Sequence, residues 1–237
     1  MFLTVDTAIT SVRERDLRNR FRSVDRIMPR LMWDFARRPL WSLDVLRGGV
    51  PEVELVRGRK EFGRGALAQA GALSRRLRKD LTWETVADLR GKWPGSLIVK
   101  GISGPADAAL ARDAGVDGIV LSNLGGRQLD QGASTVSLIR PVRAALGEDL
   151  ALYVDSGFRR GTDIFKALAL GADCVLMGRP FAWAVAAEGE RGAAHFIALL
   201  RREIEITLNL AGVSSVAEAR AAGPAMLFDG AGRAAAP

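Results

Sequence analysis

Leu121-Ser122-Asn123-Leu124-Gly125-Gly126-Arg127-Gln128-Leu129-Asp130 completes an apolar run that begins at Gly118. A short apolar run with no polar alternation reads as a strand buried on both faces, as in a parallel sheet. The run ends in Ser-Asn, turns through two glycines, and presents Arg127 and Asp130. In α/β folds, chemistry sits in the loops that follow such strands. Leu124 stands out because it is apolar among polar neighbours.

The flanking sequence repeats this pattern. Strands are expected at 2–6, 97–100, 151–155 and 174–178, and a helix follows most of them. Thr82 caps a helix over 83–90 that stops at Gly91, and Pro105 opens another that runs to Ala114. Ser134 or Thr135 starts a helix ending at Gly147, and 162–170 is helical up to Gly171. Two more helices are expected at about 180–187 and 192–212. From 97 on, strand and helix alternate with strand starts roughly 20–33 residues apart, which makes βα units and a parallel sheet. No GxGxxG follows any strand, which argues against a dinucleotide-binding domain.

Asp6, Lys100, Ser122, Arg127, Asp155, Arg159, Gly178 and Arg179 all fall at C-terminal strand ends, the placement expected in a βα barrel. Asp155 to Arg159, with Gly178 and Arg179, has the small residues and cations of a phosphate cradle. A tight turn with solvated arginines is the competing reading. Lys100 is either an ion-pair partner or a cation beside a cofactor; next to a flavin it would face N1 and O2. Arg13 and Arg127 would clamp a carboxylate in bidentate fashion, or serve as surface ion pairs.

Composition narrows the classes. The chain has 237 residues and 48% hydrophobic content, enough for one sizeable α/β domain. A single cysteine, Cys174, precludes an intramolecular disulfide framework and fits a reducing compartment. The net charge of +7 favours anionic partners. No aromatic ladder, zinc pattern or recognition helix accompanies the basic stretch 57–79, so nucleic acid is not expected as a partner. Met1 opens no signal-peptide pattern, and no apolar run is long enough to span a bilayer.

Residues 26–47 mix Trp33, Phe35, Leu40, Trp41 and Leu46 with five arginines against two aspartates, and Pro39 divides them into two short helical pieces. This composition suits a membrane interface. A helical excursion packed on its own domain is the alternative. The expected organisation is a first barrel strand and loop over 1–22, an interface and connector insertion over 23–80, further βα units over 81–215, and a tail over 216–237.

Several of these motifs, in order and spacing, resemble the FMN-dependent α-hydroxy acid dehydrogenase/oxidase family, nearest to its (S)-mandelate and L-lactate dehydrogenase branches. They are Leu3 to Asp6 with Arg13 to Phe21, Leu97 to Gly101, Leu121 to Asp130, Asp155 to Asp163, Lys166 to Ala172, and Met177 to Pro180. The resemblance implies an α/β fold, a partial TIM (β/α)8 barrel containing about strands four to eight. It implies FMN as cofactor and oxidation of an (S)-2-hydroxy acid, mandelate or lactate, to the 2-oxo acid.

Carried over by position, Thr4, Lys100 and Ser122 would meet the flavin. Asp155, Ser156, Gly157, Phe158 and Arg159, with Gly178 and Arg179, would hold the ribityl phosphate. Arg13 and Arg127 would bind the substrate carboxylate, and Asp6 would orient the catalytic base. The stretch 38–47 resembles the family's membrane-binding insertion. The resemblance therefore implies a cytoplasmic protein held at the inner membrane through residues 26–56. It also implies a quinone acceptor in that membrane, and a homo-oligomer once the barrel is completed.

Two departures qualify this. The family has a histidine base where this chain has Leu124, which cannot accept a proton. The only histidine, His195, falls in a helical stretch far from the motif, where a helix-surface or core position is expected. The chain also starts at what would be strand four, and five strands do not close an eight-stranded barrel. The expectation is a fragment of a split gene, a decayed copy, or a misplaced start. The alternative function is an inactive remnant that at most binds FMN or a membrane surface.

Overall fold

The computed structural model describes residues 1–9, 11–18, 29–49 and 52–227. Its strands are β1 (Phe2–Thr4), β2 (Ile98–Ile102), β3 (Gly118–Leu121), β4 (Ala151–Val154) and β5 (Cys174–Val175). Its α-helices are α1 (Glu14–Arg18), α2 (Pro29–Ala36), α3 (Pro39–Gly48), α4 (Ala66–Arg75), α5 (Trp83–Lys92), α6 (Pro105–Asp113), α7 (Thr135–Leu146), α8 (Gly161–Ala169), α9 (Arg179–Leu210) and α10 (Val216–Ala222). The chain divides into two units. One combines Met1–Asp6 with Leu81–Pro237, and the other is Thr7–Asp80.

In the first unit all five strands are parallel, in the order β1-β2-β3-β4-β5. All four residues of β3 are buried, as its unbroken apolar run requires. The core joins Leu97, Val99 and Ile102 to Ile119, Leu121, Leu152 and Val154, and helix α7 covers it with Ile139 and Val142. Burying each such side chain contributes about 1.5–3 kcal/mol before entropy is counted. Thr82 caps α5, its side chain accepting from Thr85 N at 3.4 Å.

Strands β3 and β5 are entered in the same way. Asp117 Oδ2 accepts from Leu97 N and from Arg90 Nη1, both at 2.7 Å. Asp173 Oδ2 accepts from Leu152 N at 2.7 Å and Arg143 Nη2 at 2.6 Å, while Arg220 reaches its Oδ1 at 2.7 Å. Each aspartate ties the strand it precedes to the neighbouring strand and to a helix arginine. Both clusters lie at the N-terminal ends of the strands, where a βα fold places stability rather than chemistry.

Within α9 the helix breaks at Glu188 and Gly189, which have φ of −144° and 59°. The second half folds back on the first, so that Phe181 meets Phe196 edge-on at 5.0 Å. A Cβ on Gly192 would lie 2.0 Å from Ala184 O, so only glycine allows the two halves this close. This hairpin matches the two helices expected after 180. Within 216–237, α10 packs through Ala219 against Phe165 and Val213; residues 228–237 lie outside the described residues.

The second unit has a small core of Val56, Phe62 and Ala72. Fully buried Gln69 accepts from Val53 N at 2.6 Å and donates to Gly63 O at 3.4 Å. Helices α2 and α3 join at a stacked Phe35–Trp41 pair, with centroids 5.5 Å apart. No residue of α3 is buried. Residues 26–28, 50 and 51 of the expected interface segment, and 19–21 of the Arg13 motif, lie outside the described residues. No described helix is long and apolar enough to cross a membrane.

Candidate functional site

The C-terminal ends of the strands bring most of the expected residues together. Thr4 pairs in register with Lys100 across β1 and β2. Lys100 Nζ donates to Ser122 Oγ at 2.7 Å and forms an ion pair with Asp155 Oδ2. The two charged side chains are only 18% and 19% exposed, and Ser122 is 2% exposed. A lysine in an otherwise apolar strand is tolerated because its ammonium finds a carboxylate and a hydroxyl.

Two loops interlock above this pair. Ser156 Oγ donates to Asp155 Oδ1 at 2.7 Å and accepts from Asn123 N at 3.3 Å and Gly125 N at 3.0 Å. Thr135 Oγ1 donates to Asp155 O at 2.6 Å, tying the start of α7 to the same loop. Asn123 Oδ1 accepts from Gly125 N at 3.0 Å and Gly126 N at 3.3 Å. The Ser-Asn-x-Gly-Gly order is thus a self-capped turn. Leu124, Gly125 and Gly126 all adopt left-handed backbone, with φ of 51°, 66° and 73°. Arg179 Nη2 donates to Gly125 O at 3.0 Å, and a Cβ on Gly125 would lie 2.2 Å from that nitrogen. Glycine at 125 is therefore what lets the guanidinium approach.

Asp6 follows β1 and lies against Gly101. The register slips between Lys100 and Ile102, so Gly101 is the extra residue of a bulge, with φ of 107°. Both carboxyl oxygens of Asp6 are buried without a hydrogen-bond partner among the described residues. Burial pushes this carboxyl above the ordinary carboxylate range; Lys100 opposes the shift and Asp155 adds to it. Gln128 Nε2 donates to Asp6 O at 3.3 Å, linking the central turn to β1.

A cavity of about 260 Å³ opens over these loops. Lys100, Leu124 and Arg127 line it on one side, and Asp155 to Arg159 with Gly178 and Arg179 line the other. Its volume is just under the roughly 300–1,000 Å³ of whole-ligand pockets, so it suits one end of a ligand. Gly178 precedes α9 and offers no side-chain cap. The first amides of that helix are thus available to an anion beside Arg179. Phe158 is 6% exposed and packs into the core, fixing the loop from below. The donor set of Arg127, Arg159, Arg179 and open amides fits a phosphate, and Lys100 fits the polar edge of a flavin.

Thr4, Asp6 and Ser122 support the site without lining the cavity. Arg13 belongs to the other unit, ahead of α1, where its carbonyl accepts from Leu17 N at 3.0 Å. His195 lies exposed on α9 and does not line the cavity. The Gly101 bulge, the approach of Arg179 to Gly125, the hydrogen bond of Thr135 to the Asp155 loop and the role of Leu176, Met177 and Pro180 as an apolar wall were not read from the sequence. Gly101 beside Lys100 was the one visible signal, since glycine inside a strand marks a bulge.

Residues 1–224 match the family model described as FMN-dependent dehydrogenase. The (S)-mandelate dehydrogenase of Pseudomonas putida is 39% identical over 216 residues, covering 91% of this chain and 54% of that protein. An L-lactate dehydrogenase of Pseudomonas syringae pv. syringae (strain B728a) is 36% identical over 218 residues, covering 91% of this chain and 57% of the relative. Among solved structures, that of the monotopic membrane protein (S)-mandelate dehydrogenase superposes with a TM-score of 0.87 at 38% identity. It covers 94% of this chain and 58% of its own. The chain thus spans about half the length of the curated relatives it matches.

Proposed function

The chain belongs to the FMN-dependent dehydrogenase family, and from that premise we propose that it carries the cofactor-phosphate and carboxylate-binding part of a 2-hydroxy acid dehydrogenase site. The reaction is oxidation of an (S)-2-hydroxy acid, mandelate or lactate, to the 2-oxo acid. FMN, when bound, accepts the two electrons that leave the substrate. The phosphate belongs with Arg159, Gly178 and Arg179, and the ring with Thr4, Lys100 and Ser122. Arg127 binds the substrate carboxylate. The observation that carries this reading is Lys100, held by Ser122 and Asp155 at the wall of a cavity that also holds Arg179.

Leu124 favours a second reading, in which binding persists without turnover. Its side chain lines the cavity where a proton acceptor is needed, and it has no titratable group. Asp6 is left with a buried carboxyl and no imidazole to orient. Losing a general base costs about 10²–10⁴-fold in rate.

The second unit is read as the attachment to an anionic membrane surface, where a quinone serves as acceptor. Trp33, Leu40, Trp41 and Leu46 are exposed, with Arg37, Arg38 and Arg47 beside them. This gives a peripheral protein of the inner membrane, homo-oligomeric when the barrel is complete.

Fluorescence titration of the chain with FMN tests the binding reading. One site is expected, weakened about tenfold or more by Lys100→Met and by Arg179→Gln. Equal affinity in both variants would refute the assignment. Mandelate- or lactate-dependent dye reduction tests the second reading, and turnover at the rate of ordinary family members would refute it.

A further inference from the structure

An open groove of about 630 Å³ lies along the α9 hairpin and shares Arg159 and Pro180 with the first cavity. Trp183 and Ala187 from the first half of the hairpin face Phe196 and Leu199 from the second. Trp183 is 57% and Leu199 42% exposed, so large apolar side chains stand open to solvent around one concave space.

The charges at its rim are unequal. Arg160 is paired with Glu203 at 2.9 Å, and Glu203 also accepts from Gly161 N at 2.7 Å. Glu188 faces Arg191 at 3.7 Å. The Arg159 guanidinium instead lies 5.6 Å from the centre of the Trp183 ring, and no described carboxylate pairs with it. An indole face holds a guanidinium in place without neutralising it. Among the described residues, the groove therefore combines apolar walls with an arginine, Arg159, that has no carboxylate partner; Arg160, Glu188, Glu203 and His195 complete its polar rim.

We infer that this groove binds an amphiphilic monoanion, with its apolar body against Trp183, Phe196 and Leu199 and its anionic head on Arg159. The volume lies within the range of small-molecule sites, about 300–1,000 Å³. A phosphate alone would leave the walls wet, and a neutral hydrocarbon would leave Arg159 without its partner. Arg159 also lines the first cavity, where it is assigned to the cofactor phosphate, so the inference is made for the chain free of FMN. A free alkyl carboxylate and an anionic lipid share this chemistry.

Calorimetric titration of the full chain with decanoate, below its micellar concentration, tests the site. One site is expected. Arg159→Gln and Leu199→Asp should each weaken binding about tenfold or more, and decan-1-ol should bind about tenfold more weakly than decanoate. Both substitutions are at exposed positions, and circular dichroism checks that each variant is folded. Flotation with phosphatidylglycerol vesicles separates the two sources. If Leu199→Asp reduces flotation as well as decanoate binding, the lipid is also a ligand; if flotation is unchanged, the ligand is the soluble anion. No decanoate binding, equal binding by both variants, or equal binding of decanol would overturn the inference.

Discussion

The carboxyl of Asp6 occupies the space that a side chain at Gly101 would fill, for a Cβ built on Gly101 would lie 2.6 Å from Asp6 Cγ. The bulge, the glycine and the aspartate form one device. The extra residue turns β2 after Lys100, its left-handed φ of 107° favours glycine, and the empty volume receives the carboxyl. Gly101→Ala must strain the backbone and also displace Asp6. The expected cost is about 2–4 kcal/mol, read from urea unfolding midpoints. An unchanged midpoint would mean that the carboxyl moves aside freely.

Asp6 also sets a pH dependence. Its pKa in the fold is raised from the ordinary 3.8, with burial as the largest cause. Between the unfolded and folded values the native state keeps a proton that the unfolded chain has lost, so stability must fall as pH rises through that window. The contribution is fully present below the unfolded value and is gone above the folded one. Asp6→Asn removes the titration. Its stability profile should be flatter than that of the parent on the acid side of neutrality, and the variant should gain relative stability at neutral pH. Parallel profiles from pH 4 to 8 would show that Asp6 is ionised throughout.

The parallel sheet was legible because β3 and its neighbours read as apolar runs separated by capped helices, while its order was only implied by the resemblance to a βα-barrel family. The site was legible as a set of strand ends, since polar residues after buried strands have few other uses. What escaped were the contacts that depend on three dimensions. Nothing in a string of letters shows that Ser156 Oγ would receive the amides of Asn123 and Gly125. The paired roles of Asp117 and Asp173 were equally hidden, although each follows a Gly-x step at the end of a helix. The break in α9 was readable from the glycine near 189; the groove it creates was not.

Leu124 is a branched residue held at φ of 51°. Left-handed backbone costs a residue with a bulky side chain roughly 1–2 kcal/mol, and asparagine tolerates it better. Leu124→Asn should therefore stabilise the chain by about 0.5–1 kcal/mol, after allowing for some lost apolar contact at this half-buried position. Thermal midpoints of the two proteins decide the matter. A lower midpoint for the variant would show that Leu124 is retained for packing that outweighs its strain.

Asp173 offers the opposite case to Asp6. Burial raises its carboxyl, but the Leu152 amide and the Arg143 and Arg220 guanidinium groups outweigh burial and hold it below the ordinary value. A carboxylate with a depressed pKa contributes stability that is present above its unfolded pKa and is lost as pH falls through its folded value. Asp173→Ala would strand the Leu152 amide and leave Arg143, only 11% exposed, without its partner. The expected loss at pH 7 is about 2–4 kcal/mol. Asp173→Asn should lose less, because its amide oxygen still accepts from Leu152, and the gap between parent and variant should close as pH falls toward 3. Because the cluster lies at the N-terminal ends of the strands, neither variant should alter FMN affinity under conditions where it is folded. A change in affinity would mean that β4 and β5 transmit strain from one end of the sheet to the other.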